Sequence, residues 1–480
     1  MDKIRKLQLA TDFYQFSVSN IYAADNMSDS VAVFDLFIRK NPFQGGYTVF
    51  AGLEQIIEYI SNLHYDNEDI LLLKKNHPEM TETFLEYLLN FKFSGDIYSA
   101  REGELVFPQE PIIRVRAPLI QAQLIETTLL TIVNHESIIA TKASRICGAA
   151  KGDSVLDFGL RRAHGTAAGL YGARACIIGG CKGTSNTEAE YRWGTISKGT
   201  MSHAYVMSYD DEYEAFEKFA LYNPQNIILL VDTYDTLKSG VPNAIRLFRK
   251  LREENILKGA FGIRLDSGDL AYLSKISRKM LDDAGFSDAI ISGSSDLDEY
   301  LISDLKAQGA AITLWGVGTK MITAYDNPAL GAVYKLSELN HIPKMKISDA
   351  PEKITNPGYK KVVRLFDKAT DKAIADLITL DTESINEAEP LRIYHPYYTF
   401  KQRTIENFYC EEILHCIYKN GELVYHQPTL EESAGYHERT KSRFWSENLR
   451  FTNPNEYHVD ISDQLYDIKK NFIEKHSIMK

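Results

Sequence analysis

Short apolar runs that end in polar or glycine residues recur through the middle of the chain, and this rhythm constrains the fold more than any other feature. Between residues 154 and 318, seven such runs alternate with stretches of helical pattern. The strands predicted from them are Ser154–Phe158, Ala175–Gly179, Gly199–His203, Ile227–Asp232, Gly262–Asp266, Ala289–Ser294 and Thr313–Gly318. Parallel strands joined by helices bring their carboxyl ends to one edge, where the polar residues are expected to meet. The pattern favours a parallel α/β barrel, and a doubly wound sheet is the alternative.

Length and charge restrict the classes of protein that this chain can represent. Its 480 residues predict two or three domains. We expect no membrane span, because no apolar run approaches about 20 residues, and no secretory signal begins the sequence. Five scattered cysteines indicate a reducing compartment, and we expect the cytoplasm. A net charge of −11 argues against nucleic-acid binding. Cations concentrated in glycine-rich loops instead predict a small anionic ligand.

The most informative segment is Asp157-Phe-Gly-Leu-Arg161-Arg162-Ala-His164-Gly165, where two arginines and a histidine lie among glycines. It follows a short strand and precedes a helix of small residues, an arrangement that α/β proteins use to hold phosphorylated ligands. A surface cluster of ion pairs is the alternative interpretation. The loop Gly183-Thr184-Ser185 is a second candidate anion site, and a flexible turn explains it equally well.

Further candidate residues follow the later predicted strands. Arg264 and Asp266 belong to Arg264-Leu-Asp266-Ser-Gly-Asp269, which could bind ribose hydroxyls and a cation together. Asp232 closes another strand, with helix capping as its alternative role, and His203 follows a third, where a structural histidine is common. Two glycine- and serine-rich loops then resemble the monophosphate cradle of the last barrel strands. They contribute Ser294, Gly316, Gly318 and Thr319.

Together these segments resemble the nicotinate phosphoribosyltransferase family from Thr11 to about Leu380. The matching segments are Thr11-Asp12-Phe-Tyr14-Gln, Phe34-Asp-Leu-Phe-Ile-Arg39-Lys40-Asn-Pro-Phe, Asp157 to Gly165, Gly183-Thr-Ser185-Asn, Gly199-Thr-Met-Ser-His203, Val231-Asp232-Thr-Tyr-Asp235, Arg264 to Asp269 and Trp315-Gly316-Val-Gly318-Thr319.

The resemblance implies a type II phosphoribosyltransferase fold with three parts. An irregular, incomplete α/β barrel is expected over 131–336. A sandwich-like N-terminal α/β domain over 1–130 would be completed by part of 337–400. The segment 337–480 is expected to be helical and peripheral at its end. The family implies a homodimer with active sites shared between subunits.

The reaction that the resemblance implies joins nicotinate to 5-phosphoribosyl 1-pyrophosphate and yields nicotinate mononucleotide and pyrophosphate, the entry of nicotinate into NAD synthesis. ATP is a co-substrate that would be hydrolysed through a phosphohistidine at His203, with Mg²⁺ as cofactor. Asp232 would orient His203 or bind Mg²⁺, and Asp266 would hold the ribose hydroxyls. We count His203, Asp232 and Asp266 as the catalytic set.

The resemblance also assigns the substrate-binding residues. Phe158 and a second subunit's Tyr14 would stack on the pyridine ring. Arg264 would lie beside the nicotinate carboxylate, and Ser185 would tolerate that anion, whereas the related nicotinamide enzyme has an aspartate there. The phosphates would be met by Arg161, Arg39, Lys40, Ser294, Gly316, Gly318 and Thr319.

Several alternatives remain open at this point. Transfer to nicotinamide or quinolinate is the nearest, although quinolinate would need more cations for its second carboxylate. A catalytically idle barrel that senses a ligand is the alternative from another class. A barrel aldolase is disfavoured, because Lys182 and Lys320 lie in glycine loops rather than in apolar strand interiors.

Overall fold

Strands and helices alternate along the part of the chain that the computed structural model describes, residues 6–398 and 400–477. The strands, numbered in chain order, are β1 Val31–Ile38, β2 Thr48–Val49, β3 Asp96–Ser99, β4 Leu105–Val106, β5 Ile113–Pro118, β6 Ser154–Asp157, β7 Asn226–Leu230, β8 Ala260–Leu265, β9 Ile290–Ser294, β10 Leu314–Val317, β11 Ala332–Leu339, β12 Ile342–Pro343, β13 Lys360–Asp367, β14 Ala373–Leu380, β15 Leu391–Tyr394, β16 Gln402–Ile405, β17 Phe408–Glu412, β18 His415–Lys419, β19 Glu422–Leu423 and β20 His458–Ile461.

The α-helices follow the same numbering. They are α1 Phe13–Ala24, α2 Leu53–Asn62, α3 Asn67–Asn76, α4 Glu82–Leu89, α5 Leu119–Leu124, α6 Glu126–Ala150, α7 Thr166–Ile178, α8 Thr187–Trp193, α9 His203–Met207, α10 Glu212–Tyr222, α11 Val241–Glu253, α12 Leu270–Asp283, α13 Glu299–Ala307, α14 Thr319–Ile322, α15 Leu430–Ser442 and α16 Asp463–Ser477. Among the described residues, no helix is both long enough and apolar enough to span a bilayer.

These elements belong to two compact units. The first, here the N/C unit, contains the described residues up to Ile138 together with those from Ala329 onward. The second, the parallel-sheet unit, contains residues 139–328. The segments at the two ends of the chain therefore fold together, whereas the middle of the chain folds by itself.

Two sheets organise the described part of the N/C unit. One has the strand order β12-β11-β1-β5-β3-β18-β19 and is antiparallel throughout. The other has the order β16-β15-β20-β14-β13-β17, in which β14 and β20 run parallel. Strand β1 lies inside the first sheet and buries seven of its eight residues, which explains its nearly continuous apolar sequence.

The C-terminal part of this unit corrects one expectation. The last 80 residues were expected to be helical and peripheral, and α15 and α16 are helices. However, β17 and β18 pair with β13 and β3, and β20 lies inside the second sheet. These strands bury only part of their length, so their Tyr, His and Glu residues hid the strand pattern.

The parallel-sheet unit, described throughout, contains the strand order β6-β10-β9-β8-β7, with every pair parallel. Isolated bridges from Asp157 to Thr184 and from Thr184 to Ser197 extend it beyond β6. The first strand lies beside the last, whereas a doubly wound sheet starts in its middle, so the doubly wound alternative is wrong. The parallel sheet is confirmed, and its closure into a barrel stays a prediction.

Two of the seven predicted strands in this unit are wrong. Ala175–Gly179 is instead the end of helix α7 and the residue that follows it. Residues 172–178 are all buried, so this helix presents no polar face that would reveal its period. Gly199–His203 is an irregular segment that leads into α9, and Met201 is its buried residue. The other five predicted strands correspond to β6, β7, β8, β9 and β10.

Candidate active site

The carboxyl ends of the parallel strands bring together a compact group of charged side chains. Arg264 and Asp266 lie at the end of β8, and Ser294 ends β9. Asp232 follows β7, and His203 is the first residue of α9. The structure therefore joins five residues that the sequence predicted, from four separate segments of the parallel-sheet unit.

Arg264 is the centre of this group. Its Nε donates to Ser294 Oγ over 2.8 Å, and its Nη1 donates to Thr200 Oγ1 over 3.0 Å. Its Nη2 donates to Asp266 Oδ1 over 2.8 Å. The side chain is 13% exposed, so the guanidinium is held firmly at the edge of solvent. Such an arginine can offer its remaining N–H groups to a planar anion.

Asp266 is kept ionised by its neighbours. Burial by itself would raise the pKa of this carboxyl, but hydrogen bonds from Ser294 and Arg264 outweigh burial and hold the pKa below its ordinary value. Ser294 Oγ donates to the same oxygen that accepts from Arg264. The other oxygen, Oδ2, lies 3.6 Å from Nε2 of His203. Asp266 thus presents negative charge to the site across the neutral pH range.

His203 is oriented from one side and open on the other. Its Nδ1 lies 3.2 Å from Thr233 Oγ1, and its Nε2 lies 3.9 Å from Asp232 Oδ1. The side chain is 39% exposed, so a ligand can approach the ring. A histidine fixed by a hydroxyl and facing two carboxylates can exchange a proton or act as a nucleophile.

Asp232 contributes a buried carboxylate whose two oxygens differ. Oδ2 accepts from the Asp266 amide at 2.9 Å and from Ser267 Oγ at 2.6 Å. Oδ1 is buried, and within the described residues it has no hydrogen-bond partner. An orphaned carboxylate oxygen facing a histidine suits a protonated ring or a cation. No group of three or more His, Cys, Asp or Glu side chains in residues 6–398 and 400–477 could hold a metal by itself.

The end of β6 builds the wall beside this group. A Cβ on Gly316 would lie 2.7 Å from the Phe158 ring, so the ring occupies space that any larger residue would take. The centroid of this ring is 5.7 Å from Arg264 Cζ. The amide of Ser185 donates to the Asp157 carbonyl over 2.8 Å. A flat ring therefore lies beside the arginine, and the loop that carries Ser185 pairs with the residue just before that ring.

Asp157 supports this wall from within. Its carboxylate accepts from the Gly159 amide at 2.8 Å and from Thr184 Oγ1 at 2.7 Å. Burial raises the pKa of Asp157 against the effect of these hydrogen bonds. Asp157 thereby fixes the turn that carries Phe158 to the loop that carries Ser185, a positional role that its place in the motif did not predict.

Apart from Ser294, the residues predicted to bind phosphate are less closely joined to this group. Gly318 packs against the Phe158 carbonyl, and Thr319 begins α14. Arg161 and Arg162 lie exposed in the turn Leu160–Arg162 that follows Phe158. Phosphate binding by these residues stays a prediction.

Three predicted residues belong to the N/C unit instead. Tyr14 lies on α1 with 47% of its surface exposed, and burial and Glu126 raise the pKa of its hydroxyl to about 12. Arg39 and Lys40 follow β1 and line a cavity of about 1000 Å³ with residues of 395–403 and 452–460. Their roles stay predictions, because they depend on a second subunit.

Sequence reasoning missed the hydroxyl groups that orient the charged residues. Thr200, Thr233 and Ser267 each contact Arg264, His203 or Asp232. All three lie inside motifs already singled out, within three residues of a charged member. Their position in these motifs could have marked them as candidate site residues, but the sequence does not show which residues they contact.

Comparisons with known proteins show which family this chain is similar to. The family model described as the nicotinate phosphoribosyltransferase N-terminal domain matches residues 9–134, and that of the C-terminal domain matches residues 359–469. A nicotinate phosphoribosyltransferase of Bacillus subtilis is 48% identical over 474 residues, covering 98% of this chain and 96% of that protein. The chain belongs to the nicotinate phosphoribosyltransferase family.

More distant relatives extend the likeness. A nicotinate phosphoribosyltransferase of Dictyostelium discoideum is 35% identical over 530 residues, covering 98% of this chain and 90% of that protein. The crystal structure of human nicotinic acid phosphoribosyltransferase matches with a TM-score of 0.85 and 26% identity, covering 97% of this chain and 100% of the human chain. The family fold therefore includes both units and the site-bearing segment between the two matched domains.

Proposed function

We propose that this protein joins nicotinate to 5-phosphoribosyl 1-pyrophosphate, releasing pyrophosphate and forming nicotinate mononucleotide for NAD synthesis. The reaction is coupled to hydrolysis of ATP to ADP and phosphate through a phosphohistidine at His203. The observation that carries the proposal is the contact group of Arg264, Asp266, Asp232 and His203. It combines a cation for an acid substrate with a histidine that two carboxylates face.

The transfer step requires charge stabilisation more than covalent chemistry. As the C1–O bond to pyrophosphate breaks, the ribose gains oxocarbenium character and the pyridine nitrogen forms the new bond to C1. Asp266, kept ionised by Arg264 and Ser294, is suited to hold the ribose hydroxyls and to stabilise the positive ribose. Ser294, Gly316, Gly318 and Thr319 would take the 5-phosphate.

The pyridine ring would stack on Phe158, whose half-buried ring packs against Gly316. Tyr14 of a second subunit would cover the opposite face. Arg264, 5.7 Å from the Phe158 ring centroid, would hold the carboxylate. Ser185 carries no charge, so the anion meets no repulsion there.

Phosphorylation of the histidine completes the cycle. A ring nitrogen of His203 attacks the γ-phosphorus of ATP, the bond to the bridging oxygen breaks, and ADP leaves. Water later attacks the same phosphorus and releases phosphate. Mg²⁺, when bound, would neutralise phosphate charge, and the orphaned Oδ1 of Asp232 fits a role in holding it. Magnesium often takes one or two carboxylates and completes its shell with water and substrate phosphates.

The active assembly would be a cytoplasmic homodimer in which each subunit completes the other's site. Arg39 and Lys40 would add cations for phosphate from the second subunit, opposite Arg161. The cavity of about 1000 Å³ that Arg39 and Lys40 line is large enough for a polyphosphate group. The barrel closure expected of the family belongs to this proposal as well.

One assay separates this function from its alternatives. We expect pyrophosphate release with nicotinate, much less with nicotinamide or quinolinate, and a faster rate with ATP. Release with nicotinamide alone would favour the amide enzyme, and no release with any pyridine would favour an idle ligand sensor.

Labelled ATP tests the histidine directly. We expect acid-labile phosphate in the wild type and none in His203→Asn. His341→Asn is the matched control, because His341 is 74% exposed in the N/C unit and should leave labelling unchanged. Equal labelling of His203→Asn would remove the phosphohistidine from the mechanism.

A further inference from the structure

The segment that carries His203 is connected to Arg264 by a side chain that has no assigned role. Thr200 lies three residues before His203, and its Oγ1 accepts from Arg264 Nη1 over 3.0 Å. Asn226 fixes the start of the segment by donating to the Gly199 carbonyl over 3.0 Å. Ser202 fixes its end by capping α9, where it accepts from the Tyr205 amide. Thr200 therefore lies on a short segment anchored on both sides.

The hydrogen bond from Arg264 to Thr200 determines which donors the arginine can offer. A guanidinium has five N–H groups in one plane. The bonds to Ser294, Thr200 and Asp266 each use one, on a different nitrogen. One N–H then remains on each terminal nitrogen. Because the guanidinium is rigid and planar, the bond to Thr200 is its third contact and fixes the tilt of the plane, and with it the direction of the N–H left on Nη1. That direction matters for an anion as flat as a carboxylate.

A second connection closes a loop between Arg264 and the histidine. Asp266 contacts Arg264 Nη2 at 2.8 Å and lies 3.6 Å from His203 Nε2. A phosphoryl group on His203 would add about 1.5 to 2 negative charges beside Asp266. The added charge repels Asp266 and attracts Arg264, so the position of the arginine depends on what else holds it.

We propose that Thr200 is a positioning residue that aims Arg264 at the substrate carboxylate and ties that aim to the state of the His203 segment. The inference rests on the proposed function and deepens it by naming the link between the acid-binding and phosphate-accepting parts of the site. Without the hydroxyl, Arg264 keeps its charge and two of its three anchors, but its plane can tilt about the line through those two.

The test compares three variants in steady-state assays of pyrophosphate release, with and without ATP. Thr200→Val keeps the branched shape and removes the hydroxyl, and Thr200→Ser restores the hydroxyl. Thr131→Val is the matched control, because its exposed hydroxyl bonds the Thr127 carbonyl of helix α6 at 2.8 Å in the N/C unit. Melting temperatures of all variants separate a change of aim from a loss of folding.

For Thr200→Val we expect the nicotinate KM to rise about tenfold, while the KM for 5-phosphoribosyl 1-pyrophosphate stays within about twofold. We also expect the ratio of nicotinate KM values without and with ATP to fall toward one. Thr200→Ser should recover both values, and Thr131→Val should resemble the wild type.

The inference and the function beneath it fail in different ways. An inactive wild type would overturn the proposed function. An active wild type with an unchanged nicotinate KM in Thr200→Val would overturn the role of Thr200, as would a serine variant that recovers nothing. If the wild type ignores ATP, the coupling part is wrong, and the nicotinate KM alone decides the aiming role.

Discussion

Two arginines, Arg364 in the N/C unit and Arg264 in the parallel-sheet unit, have similar partners and different surroundings. Arg364 is 1% exposed and donates through Nε and Nη2 to both oxygens of Asp376, at 2.8 and 2.7 Å. It also donates to Glu104 and to the Leu105 carbonyl. Arg264 instead pairs with Asp266, which is 31% exposed.

The difference lies in what each network leaves available. Both acids paired with Arg364 are nearly inaccessible, and Tyr457 and Tyr436 each donate a further hydrogen bond to one of them. Around Arg264, the carboxylates face an exposed histidine, and Asp232 retains an oxygen without a partner in the described part of the chain. A closed network of buried charges stabilises the fold, whereas an open one is able to bind a ligand.

The largest effect is expected from Arg364→Ala. Removing this cation leaves Asp376 and Glu104 buried without their charge partner, which should lower the free energy of unfolding by about 3–5 kcal/mol. Denaturant titration of the purified variant measures this loss. Arg392→Ala is the control, because its pair with Asp463 is more than half exposed and should contribute at most about 1 kcal/mol. Equal losses in the two variants would contradict the distinction between buried and exposed ion pairs.

Arg264→Gln should lower activity strongly and change stability little. We expect kcat/KM for nicotinate to fall about a hundredfold, because the carboxylate loses a charged hydrogen-bond partner. The melting temperature should change little, since the acids left behind reach solvent or a histidine. A stability loss as large as that of Arg364→Ala would place Arg264 among the structural arginines.

Two histidines differ in the same way, since His203 is partly exposed and His437 is buried. The buried one predicts a pH dependence of the stability. Burial lowers the pKa of His437 to about 3, despite the hydrogen bond from its Nδ1 to the Gly103 carbonyl. Between pH 6.5 and 3 the unfolded chain therefore binds a proton that the folded chain does not, and stability falls as the pH falls. At pH 5 this group should account for about 2 kcal/mol of lost stability.

The His437→Gln variant measures that contribution. Glutamine keeps a donor for the Gly103 carbonyl and cannot take up the proton, so the stability of the variant should depend less on pH between 6.5 and 4. Unfolding curves across this range decide the matter, and parallel pH profiles for the two proteins would show that another group is responsible.

The open network was largely predictable from sequence because strand direction fixes it. Arg264, Asp266 and Ser294 end the neighbouring parallel strands β8 and β9, so any parallel sheet brings them together. The hydroxyls could not be predicted in the same way. Thr200 is 64 residues from Arg264 and lies in an irregular segment, so no strand or helix pattern predicts that the two side chains meet.

The family resemblance implied that part of 337–400 completes the N-terminal domain, but the residues of the closed network were not predicted. Arg364 and Glu104 are 260 residues apart, and they meet because the end of the chain returns to the N-terminal segment. Strand β13, which carries Arg364, is almost entirely buried, and nothing in its sequence identifies a partner at that distance. The end of helix α7 was predicted as a strand for another reason. Its residues 172–178 are all buried, so they show no alternation of apolar and polar positions that would identify a helix.

The smallest effect concerns a charge added to the open network. Ser185 is half-buried beside the Asp157 backbone, and Ser185→Asp should raise the nicotinate KM about tenfold through repulsion of the carboxylate. Partial exposure keeps this penalty below that of a desolvated pair. Ser185→Asn is the control, since asparagine has nearly the shape of aspartate and no charge.

The two variants separate charge from size at one position. If the asparagine variant loses as much affinity as the aspartate variant, the loop excludes bulk and Ser185 does not discriminate by charge. If only the aspartate variant weakens nicotinate while both keep their melting temperature, the added charge costs ligand affinity rather than stability. That outcome is the one expected of an open network, because in a closed one the same charge would first unfold the protein.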